Sequence, residues 1–130
     1  MNKFINSTTL KNQYMKWIKD NIKINQINKF FEITTPFLDI YNDNIQIYIK
    51  ITNSQEIVLS DDSYTIKNIK MSGINISNYN IKPLLKKILA QYDITLNNDC
   101  LLSKSSFETL PQKITSLAQA IIILENLSTF

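Results

Sequence analysis

Between Phe30 and Lys50 the chain reads FFEITTPFLDIYNDNIQIYIK, and Glu32, Asp39, Asp43, Gln46 and Lys50 set polar groups at close intervals in an apolar stretch. Carboxylates beside a lysine are the equipment of Mg²⁺-dependent phosphodiester chemistry: acids hold the ion, and the ammonium steadies developing charge. The same residues also have a structural use. Asp39, Asn42 and Asp43 are turn-capping types, and Glu32 suits a buried polar partner for backbone or a nearby Tyr or Lys. The structural use is preferred over catalysis, with the cluster retained as a recognition surface. Asp61 and Asp62, followed by Tyr64, form a second acidic edge that joins the first if the strands between them fold as a meander; as a hairpin turn they need no further role.

Absences narrow the chemistry. The chain has no His, which removes Ser-His and Cys-His nucleophiles and imidazole acid–base work. One Cys and no His cannot build a tetrahedral N/S zinc site. No metal or cofactor is therefore expected. All fourteen basic residues are Lys, so bidentate guanidinium forks are lacking, although Lys still holds phosphate as a point charge. The lone Cys100 excludes an internal disulfide, and without His or Arg to activate it the thiol reads as a small buried hydrophobe. No apolar run is long enough for a membrane span, and MNKFINSTTLKNQYMKW lacks the apolar core of a signal peptide. A cytoplasmic protein without membrane contact is expected.

The net charge of +3 is unevenly spread. Residues 1–31 carry six Lys against Asp20, residues 32–62 six acids against Lys50, and residues 63–93 five Lys against Asp93. Solvated helix faces account for this; a basic face beside an acidic one, meeting nucleic acid or a charged protein, is the sharper alternative. Lys16 and Lys19 lie beside Tyr14 and Trp17, a candidate base-stacking platform. Lys82, Lys86 and Lys87 are a candidate phosphate-contacting face. The aromatic pair is nonetheless read as core, because i, i+3 aromatics on an amphipathic helix usually face inward.

Elements that would position these residues follow from periodicity. Leu10, Tyr14, Trp17, Ile18 and Ile22 recur at helical spacing behind the capping candidates Ser7, Thr8 and Thr9, predicting a helix over 9–24. Residues 25–29 read as a connector. A short strand over 30–34 should stop at Thr35-Pro36, since proline has no N–H to give a ladder. In NIQIYIKIT, Ile45, Ile47, Ile49 and Ile51 alternate with Gln46, Tyr48 and Lys50, the period of a half-buried strand. Turns at 53–55 and 61–63 then separate strands at 56–60 and 64–71. Pro83 opens a helix over 81–92, a turn at 97–99 precedes a short strand at 100–103, and an apolar helix runs from Pro111 to about Leu127 against the sheet. The expected fold is a single α+β domain over 1–130: an N-terminal helix, a sheet over about 30–71 as an antiparallel meander of three to four strands, and a helical part over about 81–127. Two to three helices would cover the sheet. An open sheet edge or the apolar last helix would also suit a dimer.

Strand-borne acids ahead of I-x-I-K superficially resemble the restriction-endonuclease arrangement. The match fails where that arrangement has Asp, Glu or Gln two before the lysine, because Tyr48 stands there. A broader resemblance spans residues 30–127. The segments FFEITTPFLDIYNDNIQIYIK, LSDDSYTIKNIKMSG and LPQKITSLAQAIIILENL resemble domain-of-unknown-function family 1828 of bacterial and phage proteins, through Glu32–Asp39, Asn42–Tyr48, Asp61–Thr65 and Pro111–Lys113. The family usually has Arg-His after the first block and Gly within the D-D-x-Y turn; here Ile40-Tyr41 and Ser63 stand instead. The resemblance implies a prophage or mobile-element setting. With it comes the expectation of a non-enzymatic accessory protein that binds and blocks a host defence nuclease such as a CRISPR effector, through Glu32, Asp39, Asp43, Gln46, Lys50, Asp61 and Asp62. A nucleic-acid-binding module using Lys16, Lys19, Lys82, Lys86 and Lys87 is the alternative, and a Mg²⁺-dependent nuclease the third.

Overall fold

In a computed structural model, which describes residues 5–127, the chain runs α1 (Ser7–Asn21), β1 (Lys23–Ile27), β2 (Phe30–Leu38), β3 (Asn44–Ile51), β4 (Ile57–Ser60), α2 (Tyr64–Met71), α3 (Lys82–Gln91), β5 (Thr95–Asn97), β6 (Cys100–Ser105) and α4 (Leu110–Glu125). The expected span of 1–130 extends past both ends of that range. The class is α+β: one six-stranded sheet, order β1-β2-β3-β4-β6-β5, with every neighbour antiparallel.

The alternation in β3 does what its period demands. Ile45, Ile47 and Ile49 are buried, while Ile51 at the strand end is exposed. They meet Ile33 of β2, Leu59 of β4 and Leu101 of β6 on one face of the sheet. Ile66 and Ile69 of α2, Leu85 of α3 and Leu117, Ala118, Ile121 and Leu124 of α4 close that core. Removing side chains of this size from water contributes about 2 kcal/mol each. α4 touches β2, β3 and β6, so the last helix crosses the sheet as its apolar composition predicts.

Four expectations are corrected. Residues 64–71 form helix α2, not a strand; Thr65, Ile66 and Ile69 are the buried positions, a helical spacing. Residues 23–27 form strand β1 on the sheet edge, where the helix was expected to run to 24 and a connector to follow, pairing Lys23–Ile27 against Phe30–Thr34. Strand β2 does not stop at Pro36 but continues to Leu38. The ladder is irregular between Thr34 and Leu38, so the missing proline N–H falls where pairing is already broken, and Thr35 Oγ1 accepts from Phe37 N–H. Finally α1 buries nothing: Leu10, Tyr14 and Trp17 are 60%, 62% and 48% exposed, so the aromatic pair is not core. What holds α1 locally is a capping box, with Thr9 N–H donating to Asn6 Oδ1 and Asn6 N–H donating to Thr9 Oγ1.

A candidate acidic pocket at the start of β3

Two aspartates build the site by folding the backbone around themselves. Asp39 follows β2; its Oδ1 accepts from Tyr41 N–H at 2.8 Å and Asp43 N–H at 3.0 Å, closing a turn in which Asn42 has φ 66°. Asp61 follows β4; Oδ1 accepts from Ser63 N–H and Leu101 N–H, both at 3.0 Å, and Oδ2 from Thr65 N–H at 2.9 Å. Asp62 and Ser63 are both left-handed (φ 57° and 66°), which turns the strand directly into α2. Asp61 thus caps a helix whose N-cap residue, Ser63, makes no side-chain cap of its own.

Strand order places these turns together. Both β2 and β4 run antiparallel to β3, so they leave the sheet at the same end, one on each side of β3. β4 ends at Ser60 opposite Tyr48, so residues 44–47 of β3 have β2 on one side and no strand on the other. The gap is a cavity of about 300 Å³, with Asp39, Asp43, Ile45, Gln46, Tyr48, Asp61, Asp62, Tyr64, Thr65, Ile121 and Glu125 in its lining.

Among the described residues no lysine lines this cavity, and the ion pairs (Lys70–Asp99, Lys104–Glu56 and Lys113–Asp93) all lie elsewhere. Five carboxylates therefore share one pocket without a cation. Glu125, on the buried face of α4, is only 3% exposed. Burial pushes its carboxyl above the usual glutamate range; a long hydrogen bond from Asn68 Nδ2 (3.4 Å) opposes this, the Asp39 charge adds to it, the Ile40 backbone N–H opposes it and the Asp61 charge adds again. Among the described residues Glu125 Oε1 and Thr65 Oγ1 are buried without a hydrogen-bond partner.

Of the residues singled out in the sequence, Asp39, Asp43, Gln46, Asp61 and Asp62 line the pocket. Glu32 and Lys50 do not. Glu32 stands between Asn25 and Tyr48 across the ladder, and Lys50 lines a separate depression with Phe30, Tyr48, Val58 and Asp62. Burial, the Glu32 charge and the Asp62 charge together hold the Tyr48 phenol above its ordinary range. The acid–lysine constellation of Glu32, Asp39, Asp43 and Lys50 is thus divided between two places. Among the described residues no three acidic or thiol groups stand together closely enough to hold a metal ion.

The lysines are split as well. Lys16 and Lys19 lie on α1, whose main neighbour is β2; Lys82, Lys86 and Lys87 lie on α3, beside α4 and β5 at the other side of the sheet. Cys100 is half-buried with Sγ 2.9 Å from Ser60 Oγ. The Ile40 and Tyr41 side chains are exposed in the Asp39–Asp43 turn. Glu125 and Thr65 were not singled out in the sequence. The available signal was a carboxylate four residues after Ile121 and eight after Leu117, on the apolar face of the most apolar helix.

The model of a family described as Domain of unknown function DUF1828 matches residues 35–123. No curated protein and no solved structure matches the chain. Among the described residues no helix is long and apolar enough to cross a membrane.

Proposed function

We infer that this chain, which belongs to the DUF1828 family, acts by binding and not by turnover, offering its acidic pocket to a basic surface of a protein partner. The single observation behind this reading is the concentration of charge: five carboxylates line one cavity, and among the described residues no lysine lines it or pairs with them. Like charges held together cost free energy that an incoming cation recovers, so the pocket is electrostatically unfinished alone. Asp39 and Asp61 are occupied as backbone acceptors, which leaves the exposed Asp43 and Asp62 at the rim to meet the partner. A nucleic-acid groove is a basic surface of this kind. The partner class proposed is accordingly a nucleic-acid-guided defence nuclease, blocked by stoichiometric occupation of that groove.

Co-elution and target-cleavage assays with purified effectors test this. The expected result is a stable complex that suppresses cleavage and is broken by Asp43→Lys with Asp62→Lys. Mg²⁺-dependent nucleic-acid cleavage by the protein itself, lost in Asp43→Ala, would overturn the reading.

A nucleic-acid-binding role has one observation in its favour. Tyr14 and Trp17 stack at 6.3 Å with their planes 14° apart on exposed α1, beside Lys16 and Lys19. Affinity for single strands that falls steeply with salt and is lost in Trp17→Ala would support it.

A further inference from the structure

The inner wall of the pocket carries more information than its charge. Glu125 comes from α4 and Thr65 from α2; they are 3% and 0% exposed, and each has one oxygen without a hydrogen-bond partner in the described chain. Burying such an atom unpaired carries a desolvation cost, larger when it is charged. Both residues line the cavity, with their unpaired oxygens just beneath its surface, so a donor entering it reaches them by a small shift of that wall.

We propose that the Glu125–Thr65 wall is a seat for the guanidinium of an arginine side chain of the partner. This deepens the binding reading above and rests on it. Three features select this group. A metal ion is disfavoured because the acids do not converge on one point. An ammonium is a compact, strongly hydrated charge, whereas the unpaired acceptors sit on two different helices with the Asp43 and Asp62 carboxylates at the rim. A guanidinium is planar, weakly hydrated and carries five donors, so it serves several acceptors at once. The remaining walls, Ile45, Ile121, Tyr48 and Tyr64, suit its flat face and methylene stem. At about 300 Å³ the space admits one long side chain and not a folded element. The chain contains no arginine, so the guanidinium must come from another molecule.

The test is a titration of the ¹⁵N-labelled protein with N-acetyl-arginine methylamide, its lysine counterpart and the uncharged citrulline counterpart. Arginine amide is expected to shift the amides of Thr65, Ile121 and Glu125 and to bind at least about fivefold more tightly than lysine amide, with citrulline silent. Glu125→Gln should weaken arginine binding about tenfold, the loss of one charge-assisted hydrogen bond. Thr65→Val, which keeps shape and removes Oγ1, should weaken it about threefold and decides the matter if Glu125→Gln does not fold. Equal binding of lysine and arginine, or arginine binding indifferent to both substitutions, overturns the guanidinium seat while leaving a basic partner in place. Failure of both amides to bind, together with no effector complex sensitive to Asp43 and Asp62, removes both.

Discussion

Leu101 donates its backbone N–H to Asp61 Oδ1 at 3.0 Å across forty residues of sequence, joining the exit of β4 to the inner strand β6. The same carboxylate accepts from Ser63 and Thr65, so one buried side chain closes a left-handed turn, caps α2 and ties in a neighbouring strand. Charge-assisted bonds of this kind are among the stronger ones, and their loss leaves buried N–H groups unpaired.

Asp61→Ala is therefore expected to destabilise the fold by about 3 kcal/mol or more. Asp62→Ala, one residue on and exposed, should cost only about 1 kcal/mol, the strain of alanine at a left-handed φ. Urea denaturation of the two variants checks this. Near-equal midpoints would remove Asp61 from its place as the organiser of the turn.

The native carboxyl of Glu125 holds its proton to higher pH than in the unfolded chain, where it titrates normally. The native state then binds more protons between the two values, and stability falls as pH rises from the ordinary glutamate range through the raised native one. Glu125→Gln removes this slope. It should raise the urea midpoint at neutral pH and leave it nearly unchanged in acid, where both states are already protonated. A bound cation should act similarly by recovering the cost of ionisation.

Tyr48 provides an independent reading of the electrostatics. Burial and the charges of Glu32 and Asp62 keep its phenol protonated beyond the ordinary tyrosine range. The difference between wild-type and Tyr48→Phe alkaline absorbance titrations should place this ionisation high, and Glu32→Gln should bring it down. Stability carried by this phenol is lost as pH rises from the ordinary tyrosine range through the raised native value.

Trp17 is the chain's one tryptophan and lies about half exposed on α1, which makes it a direct probe. Its fluorescence should be red-shifted and quenched readily by acrylamide. Trp17→Ala should cost less than about 1 kcal/mol, against about 3 kcal/mol for Ile47→Ala in the core. A blue-shifted, protected Trp17 would mean that another surface covers α1 in solution.

Much of this was legible from periodicity, and the rest was not, for identifiable reasons. The isoleucines of β3 and the apolar face of α4 announce themselves because each has one period and one buried side. Residues 64–71 mislead because Tyr64, Thr65 and Ile66 suit a strand, while the helical link from Ile66 to Ile69 is a single step. Their helix also depends on Asp61, whose cap lies outside it and whose third bond comes from Leu101. Strand β1 is short, polar and exposed, so burial leaves no imprint on its sequence. The pocket is less legible still. It exists because β4 is shorter than β3, a matter of pairing lengths, and because one glutamate sits on an otherwise apolar helix face.

The helix that carries Glu125 is synthesised well after residues 39–65, and it closes a cavity whose other walls come from them. Until residues 110–125 have left the ribosome and docked across the sheet, the acidic turns face open water with no inner wall behind them. Whatever occupies the cavity is thus met only after α4 has docked, and an occupant would bind this later-made helix to the earlier-made turns of residues 39–65.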